Sequence, residues 1–99
     1  MEIVETKFED SIQLSVEGRV DVTSAMKLQE SILSAFQRTS KLVLNLEKTQ
    51  YVSSAGLRAF LIGQKTASSK GGSLTLINVN NSVMEVLKVT GFTNLFNIE

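Results

Sequence analysis

Neither cysteine nor histidine occurs in the chain, and proline and tryptophan are absent as well. Without Cys and His there is no disulfide, no Cys/His zinc site and no imidazole base, so Ser-His-Asp and Cys-His catalysis are excluded. A small domain without disulfides relies on its core, as cytosolic domains do. Missing proline leaves Gly, Asn and Ser to make the turns. Excess charge is missing too, because ten basic and ten acidic side chains cancel to a net charge of zero. That removes the electrostatic footprint of a domain that neutralises a run of phosphates, and no nucleic-acid partner is expected. Long apolar runs are also lacking. The longest is Ala59-Phe60-Leu61-Ile62, far short of a signal-peptide core of ~7–15 residues or a membrane span of ~20, and Met1-Glu2-Ile3 carries no basic n-region. The expectation is a cytoplasmic chain without membrane insertion.

What is present suffices for one core. A hydrophobic fraction of 42% in 99 residues gives no compositional case for disorder and room for one domain, residues 1–99. Ile3 to Phe8 are β-prone, Glu9-Asp10 reads as a hairpin turn, and Ser11 to Glu17 alternate, with Ile12, Leu14 and Val16 on one face. Asp21, Thr23 and Ser24 are candidate caps for a first helix, whose apolar positions Leu28, Ile32, Ala35 and Phe36 recur at helical spacing. The run Leu42-Val43-Leu44 with Leu46 suits a strand covered on both faces. A polar segment from Glu47 to Gln50 and a short Tyr51-Val52 pair precede a second helix that starts at Ser53-Ser54 and carries Leu57, Phe60, Leu61 and Ala67. Lys70-Gly71-Gly72 stops it. Leu74, Leu76 and Ile77 make another buried strand, Asn80-Asn81-Ser82 caps a third helix, and Gly91 ends it. Phe92, Leu95, Phe96 and Ile98 follow as a packing segment with a short edge strand. The order β-β-α-β-α-β-α with a short tail predicts a single α/β domain: a mostly parallel mixed sheet, opened by an antiparallel β-hairpin, with about three to four helices.

Catalytic chemistry has little to work with. Glu17, Asp21, Glu30, Glu47 and Glu85 are scattered singly, so they read as solvated charges and caps rather than as an acid/base pair. Lys70-Gly71-Gly72-Ser73 follows a helix and precedes a strand, the reverse of a P-loop, and reads as a turn. No enzyme activity, cofactor or metal is expected. Ser53-Ser54 is the distinctive spot, because a helix N-terminus presents outward N–H groups and favours negative charge. A phosphate held there is one reading, and a serine that simply caps the helix, worth ~1 kcal/mol, is the other. Periodicity does not choose between them.

Taken together, Gly18-Arg19-Val20-Asp21, Leu42-Val43-Leu44-Asn45-Leu46, Tyr51-Val52-Ser53-Ser54-Ala55-Gly56-Leu57-Arg58 and Gly71-Gly72 before a strand resemble a STAS domain, the sulfate transporter and anti-sigma factor antagonist family, over nearly the whole chain. The family's signature resembles Asp-Ser-Ser/Thr-Gly-Leu at a helix N-terminus. On that resemblance Ser54 falls on the phosphoacceptor serine, Gly56 and Leu57 on the Gly-Leu pair, and Asp21 on the acidic residue after the second strand. Ser53 stands where the family often has aspartate. Ala55 replaces a second hydroxyl and leaves Ser54 as the acceptor.

The resemblance implies an anti-sigma factor antagonist. Unphosphorylated, it binds an anti-sigma factor that is itself a serine kinase and so releases the sigma factor; phosphorylation of Ser54 switches it off, and a serine phosphatase resets it. Asp21, Val22, Thr23, Ser53, Ser54, Gly56 and Arg58 are the implied partner-binding patch. Val22 and Leu57 also have a core reading, and Thr23 a capping one. An alternative is a STAS accessory subunit docking on a transporter or its ATPase. A nucleotide-binding protein ranks last, since Glu47 to Gly56 offer only Lys48 as a cation. A monomer is expected, or a weak dimer through exposed apolar residues near Phe92 and Phe96.

Overall fold

Alternation along Ile12 to Glu17 makes a strand with one dry face, and a strand of that kind needs neighbours for its backbone groups. In the computed structural model, which describes residues 1–99, strand β1 (Glu2–Lys7) pairs antiparallel with strand β2 (Ile12–Val20). There follow helix α1 (Ala25–Phe36), strands β3 (Lys41–Asn45) and β4 (Thr49–Val52), helix α2 (Ser54–Ser69), strand β5 (Ser73–Ile77), helix α3 (Asn81–Val89), a 3-10 turn (Phe92–Asn94) and strand β6 (Asn97–Ile98). The sheet order is β1-β2-β3-β5-β6, with every pairing parallel except the opening hairpin. The expected α/β class, single domain and N-terminal hairpin are all present.

Strand β2 forks. Its first half pairs with β3, from Ile12 opposite Leu42 to Ser15 opposite Asn45, and its second half pairs with β4, ending with Val20 opposite Val52. The register shifts between Gly18 and Arg19, where Gly18 takes φ +100, a conformation other residues rarely adopt. Strand β4 corrects the reading of Glu47 to Gln50 as a polar segment. Thr49 is fully buried inside the strand because its hydroxyl donates to the Val16 carbonyl at 2.7 Å, which satisfies the group that would otherwise keep it in water.

The core gathers 22 residues, among them Leu14, Val16, Ile32, Phe36, Leu44, Phe60 and Leu76, each contributing ~1.5–3 kcal/mol if fully removed from water. Helices α1 and α2 pack side by side, and Gly63 lets α2 approach both Ile32 of α1 and Leu74 of β5. Strand β3 is dry on one side only. Leu42 and Leu44 are buried but Val43 and Asn45 are half-buried, so the expectation of cover on both faces is corrected.

At the C-terminus Phe96 is buried, edge-to-face with Phe60 at 6.2 Å and with Phe92 at 6.1 Å, while Leu95 beside it is exposed. A bidentate pair between Arg38 and Glu5 (2.6 and 2.8 Å) ties the end of α1 to the edge strand. No helix is long and apolar enough to cross a membrane.

Candidate partner-docking site

Two parallel neighbours end at the same place. Val20 and Val52 are register partners on β2 and β4, so Asp21 and Ser53 are the first residues beyond a paired position on adjacent strands. The Ser53 N–H donates to the Val20 carbonyl at 2.8 Å and fastens one strand end to the other. The loops expected to converge do so.

Beyond that bond the two serines divide the work. Ser53 has extended backbone geometry and its hydroxyl accepts from the Gly56 N–H at 3.2 Å, which makes it the N-cap of α2. It is buried. Ser54, the first helical residue, is exposed and its hydroxyl makes no hydrogen bond within the chain. Aspartate is an equally good N-cap, so a serine at position 53 preserves the cap while removing its charge.

Gly56 is buried for a steric reason. A Cβ there would lie 2.8 Å from Cγ1 of both Val20 and Val52, so the helix can start this close to the two strand ends only without a side chain. Ser53 and Gly56 are both enclosed by the junction they build. Leu57 is core, as its phase with Phe60 indicates.

On the other strand end, Asp21 caps the turn that leads into α1, whose N-cap position, Ser24, makes no side-chain cap bond of its own. Its Oδ1 accepts from the Thr23 hydroxyl (2.7 Å), the Thr23 N–H (3.0 Å) and the Ser24 N–H (3.2 Å), while its own N–H donates to Ser24 Oγ at 3.0 Å. The Thr23 hydroxyl holds the carboxyl below the usual carboxylate range, against some loss of hydration, with the Ser24 hydroxyl and both N–H groups adding to the effect. Thr23 thus braces the cap and is not the cap itself. Val22 is 76% exposed, which rules out its core reading. Met26, one turn further on α1, is exposed as well.

Four of the anticipated residues thus share solvent-facing positions around this junction: Val22, Thr23, Ser54 and Arg58 are exposed, with Asp21 half-buried beside them. Sequence reasoning did not single out the Arg19 and Tyr51 pair. The Arg19 guanidinium lies 4.5 Å from the centre of the Tyr51 ring, and both are register partners just before the junction, so only the parallel pairing of β2 with β4 reveals the contact. None of the three surface grooves is lined by Asp21, Ser54 or Arg58. Lys48, largely exposed, stands 4.0 Å from Glu17. No cluster of three or more acidic side chains is placed to hold a metal ion.

Residues 4–97 match the family model described as "Mlab, STAS domain". The chain belongs to the STAS domain family. This STAS domain is 30% identical over 90 residues to the anti-sigma-B factor antagonist of Bacillus subtilis (strain 168), covering 91% of this chain and 83% of that protein. Its fold is similar to that of the anti-sigma factor antagonist SpoIIAA in its unphosphorylated form, with a TM-score of 0.84, 15% identity, and 99% of this chain and 88% of that one covered. Bacillus SpoIIAA in its phosphorylated form gives a TM-score of 0.76 at 16% identity, covering 99% and 91% of the two chains. At those identities the solved structures speak for the STAS fold, and the family model and the Bacillus relative for the family.

Proposed function

We propose that this STAS domain is an anti-sigma factor antagonist whose partner is an anti-sigma factor with serine-kinase activity, and that phosphorylation of Ser54 ends their association. The observation that carries the reading is the division between the two serines: Ser53 is enclosed as the cap, and Ser54 stands exposed with a free hydroxyl at a junction flanked by Asp21 and Arg58. The 30% identity to an antagonist of the same kind supports it, as does the existence of a related fold in both phosphorylated and unphosphorylated forms.

In this reading the chain supplies no catalytic group. The Ser54 oxygen attacks the γ-phosphorus of a nucleoside triphosphate held by the kinase, the bond to the diphosphate breaks, and the hydroxyl proton passes to a base of the kinase. The product carries roughly −1.5 to −2 additional charge and three acceptor oxygens. The α2 N-terminus accommodates that charge with ~0.3–1 kcal/mol of favourable dipole interaction, so the fold persists. The effect falls on docking, where a dianion near Asp21 has to be desolvated against a surface that receives a neutral hydroxyl. A serine phosphatase restores the binding form.

Intact-mass spectrometry after incubation with ATP, Mg²⁺ and candidate anti-sigma kinases from the same genome tests this. One phosphate, lost in Ser54→Ala and kept in Ser53→Ala, is the expected result. A phosphate on another residue, or none while the chain binds a transporter ATPase subunit, overturns it in favour of a docking subunit.

A further inference from the structure

Arg58 is the unclaimed cation of this surface. It is exposed, and the three ion pairs of the chain, Arg38 with Glu5, Lys41 with Asp10 and Lys48 with Glu17, leave it out. It stands four residues after Ser54 on α2, and the first turn of that helix contains no acidic residue to compete for it. Side chains at i and i+4 on a helix are neighbours, with Cβ atoms ~5–6 Å apart, and the favourable orientation places the anion N-terminal to the cation. Ser54 and Arg58 have that order.

We propose that Arg58 holds the phosphate of phosphorylated Ser54 as an intrahelical clamp, so that the modified chain carries a guanidinium–phosphate pair on its docking face. This rests on the reading of Ser54 as the phosphoacceptor and deepens it by naming the residue that receives the group. A guanidinium presents parallel N–H donors that match two phosphate oxygens, whereas an ammonium at the same place offers only a point charge. Arg19 is not an equivalent candidate, because its guanidinium is already stacked on Tyr51. The consequence is two-sided: unmodified, Arg58 is free to meet an acidic group of the partner, and modified, it turns inward along its own helix and withdraws that contact as the phosphate appears.

The test uses the full chain with phosphoserine placed at position 54 during synthesis, so that no kinase is involved, and follows the second ionisation of the phosphate by ³¹P NMR titration. With Arg58 in place the dianion is favoured, and Arg58→Ala raises that ionisation by about half a pH unit. Arg58→Lys falls between the two, because the charge survives but the fork does not. Exposure of Arg58 keeps all three variants folded, which circular dichroism verifies. Identical titration curves for Arg58, Ala and Lys overturn the clamp. Absence of phosphorylation by any kinase overturns the proposed function instead and leaves this titration as it stands.

Discussion

Val20 and Gly56 meet with no space to spare: a methyl group on Gly56 would come within 2.8 Å of the valine's Cγ1, and within the same distance of Val52. The start of α2 is thereby pressed onto the ends of β2 and β4, and the glycine is required by its neighbours rather than by its backbone angles. Gly56→Ala is expected to destabilise the chain by ~1–3 kcal/mol, the usual cost of overpacking. Urea denaturation reads this as a lower midpoint at constant slope. Adding Val52→Ala to Gly56→Ala recovers part of the loss if crowding is the cause; a midpoint that falls further in the double variant refutes the steric account.

The two adjacent serines should separate in stability measurements. Ser53→Ala removes the cap on the Gly56 N–H and costs ~1 kcal/mol, while Ser53→Asp keeps it. Ser54→Ala, at an exposed position, shifts stability by less than ~0.5 kcal/mol. Equal losses at 53 and 54 would show the cap to be shared.

Acid should act on Asp21. Its folded pKa lies below the unfolded value of ~3.9 because Thr23 and Ser24 donate to the carboxylate. The stability it contributes is therefore fully present above that unfolded value and is lost as pH falls through the depressed folded pKa. Carboxyl-carbon NMR should place the Asp21 midpoint below that of a peptide aspartate, and Thr23→Val should move it back up. Asp21→Asn should flatten the acid limb of the stability curve over the same window. An Asp21 midpoint indifferent to Thr23→Val contradicts the hydrogen-bond cause.

Binding to the partner kinase should follow charge at one position. Ser54→Ala is expected to bind as the parent does, Ser54→Asp more weakly, and the phosphorylated chain at least about a hundredfold more weakly, because the dianion has to be desolvated against a surface that receives a neutral hydroxyl. Calorimetric titration of the three forms decides it. Equal affinity of the Ala and Asp variants argues against an electrostatic switch at this residue.

Most of the sheet and all three α-helices were legible because burial and period coincide: Ile12, Leu14 and Val16 alternate, and Leu28, Ile32 and Ala35 recur each turn. Where polar groups are satisfied internally, that correspondence fails. Thr49 is buried with a hydrogen bond to a carbonyl 33 positions earlier, and nothing local announces such a partner, so only Tyr51-Val52 of β4 stood apart from the polar segment. The same limit applied at Ser53-Ser54, where composition supplied two candidate caps and only the strand junction distinguishes the enclosed one. Val43 and Asn45 show the converse: an apolar run suggested cover on both sides, but one side is enough to bury Leu42 and Leu44. The burial of Phe96 was hidden for the same reason, since its partner Phe60 lies far away in sequence.

The fastening of Ser53 to Val20 has a kinetic consequence. A phosphoacceptor on a mobile loop loses conformational freedom each time a partner closes on it, which slows capture and weakens the complex. Here the neighbouring residue is anchored through both its amide and its hydroxyl, so the Ser54 oxygen is displayed from a fixed pedestal. On the proposed reading of Ser54 as the phosphoacceptor, little backbone freedom is left for a partner to remove, and no refolding step is expected between signal and response.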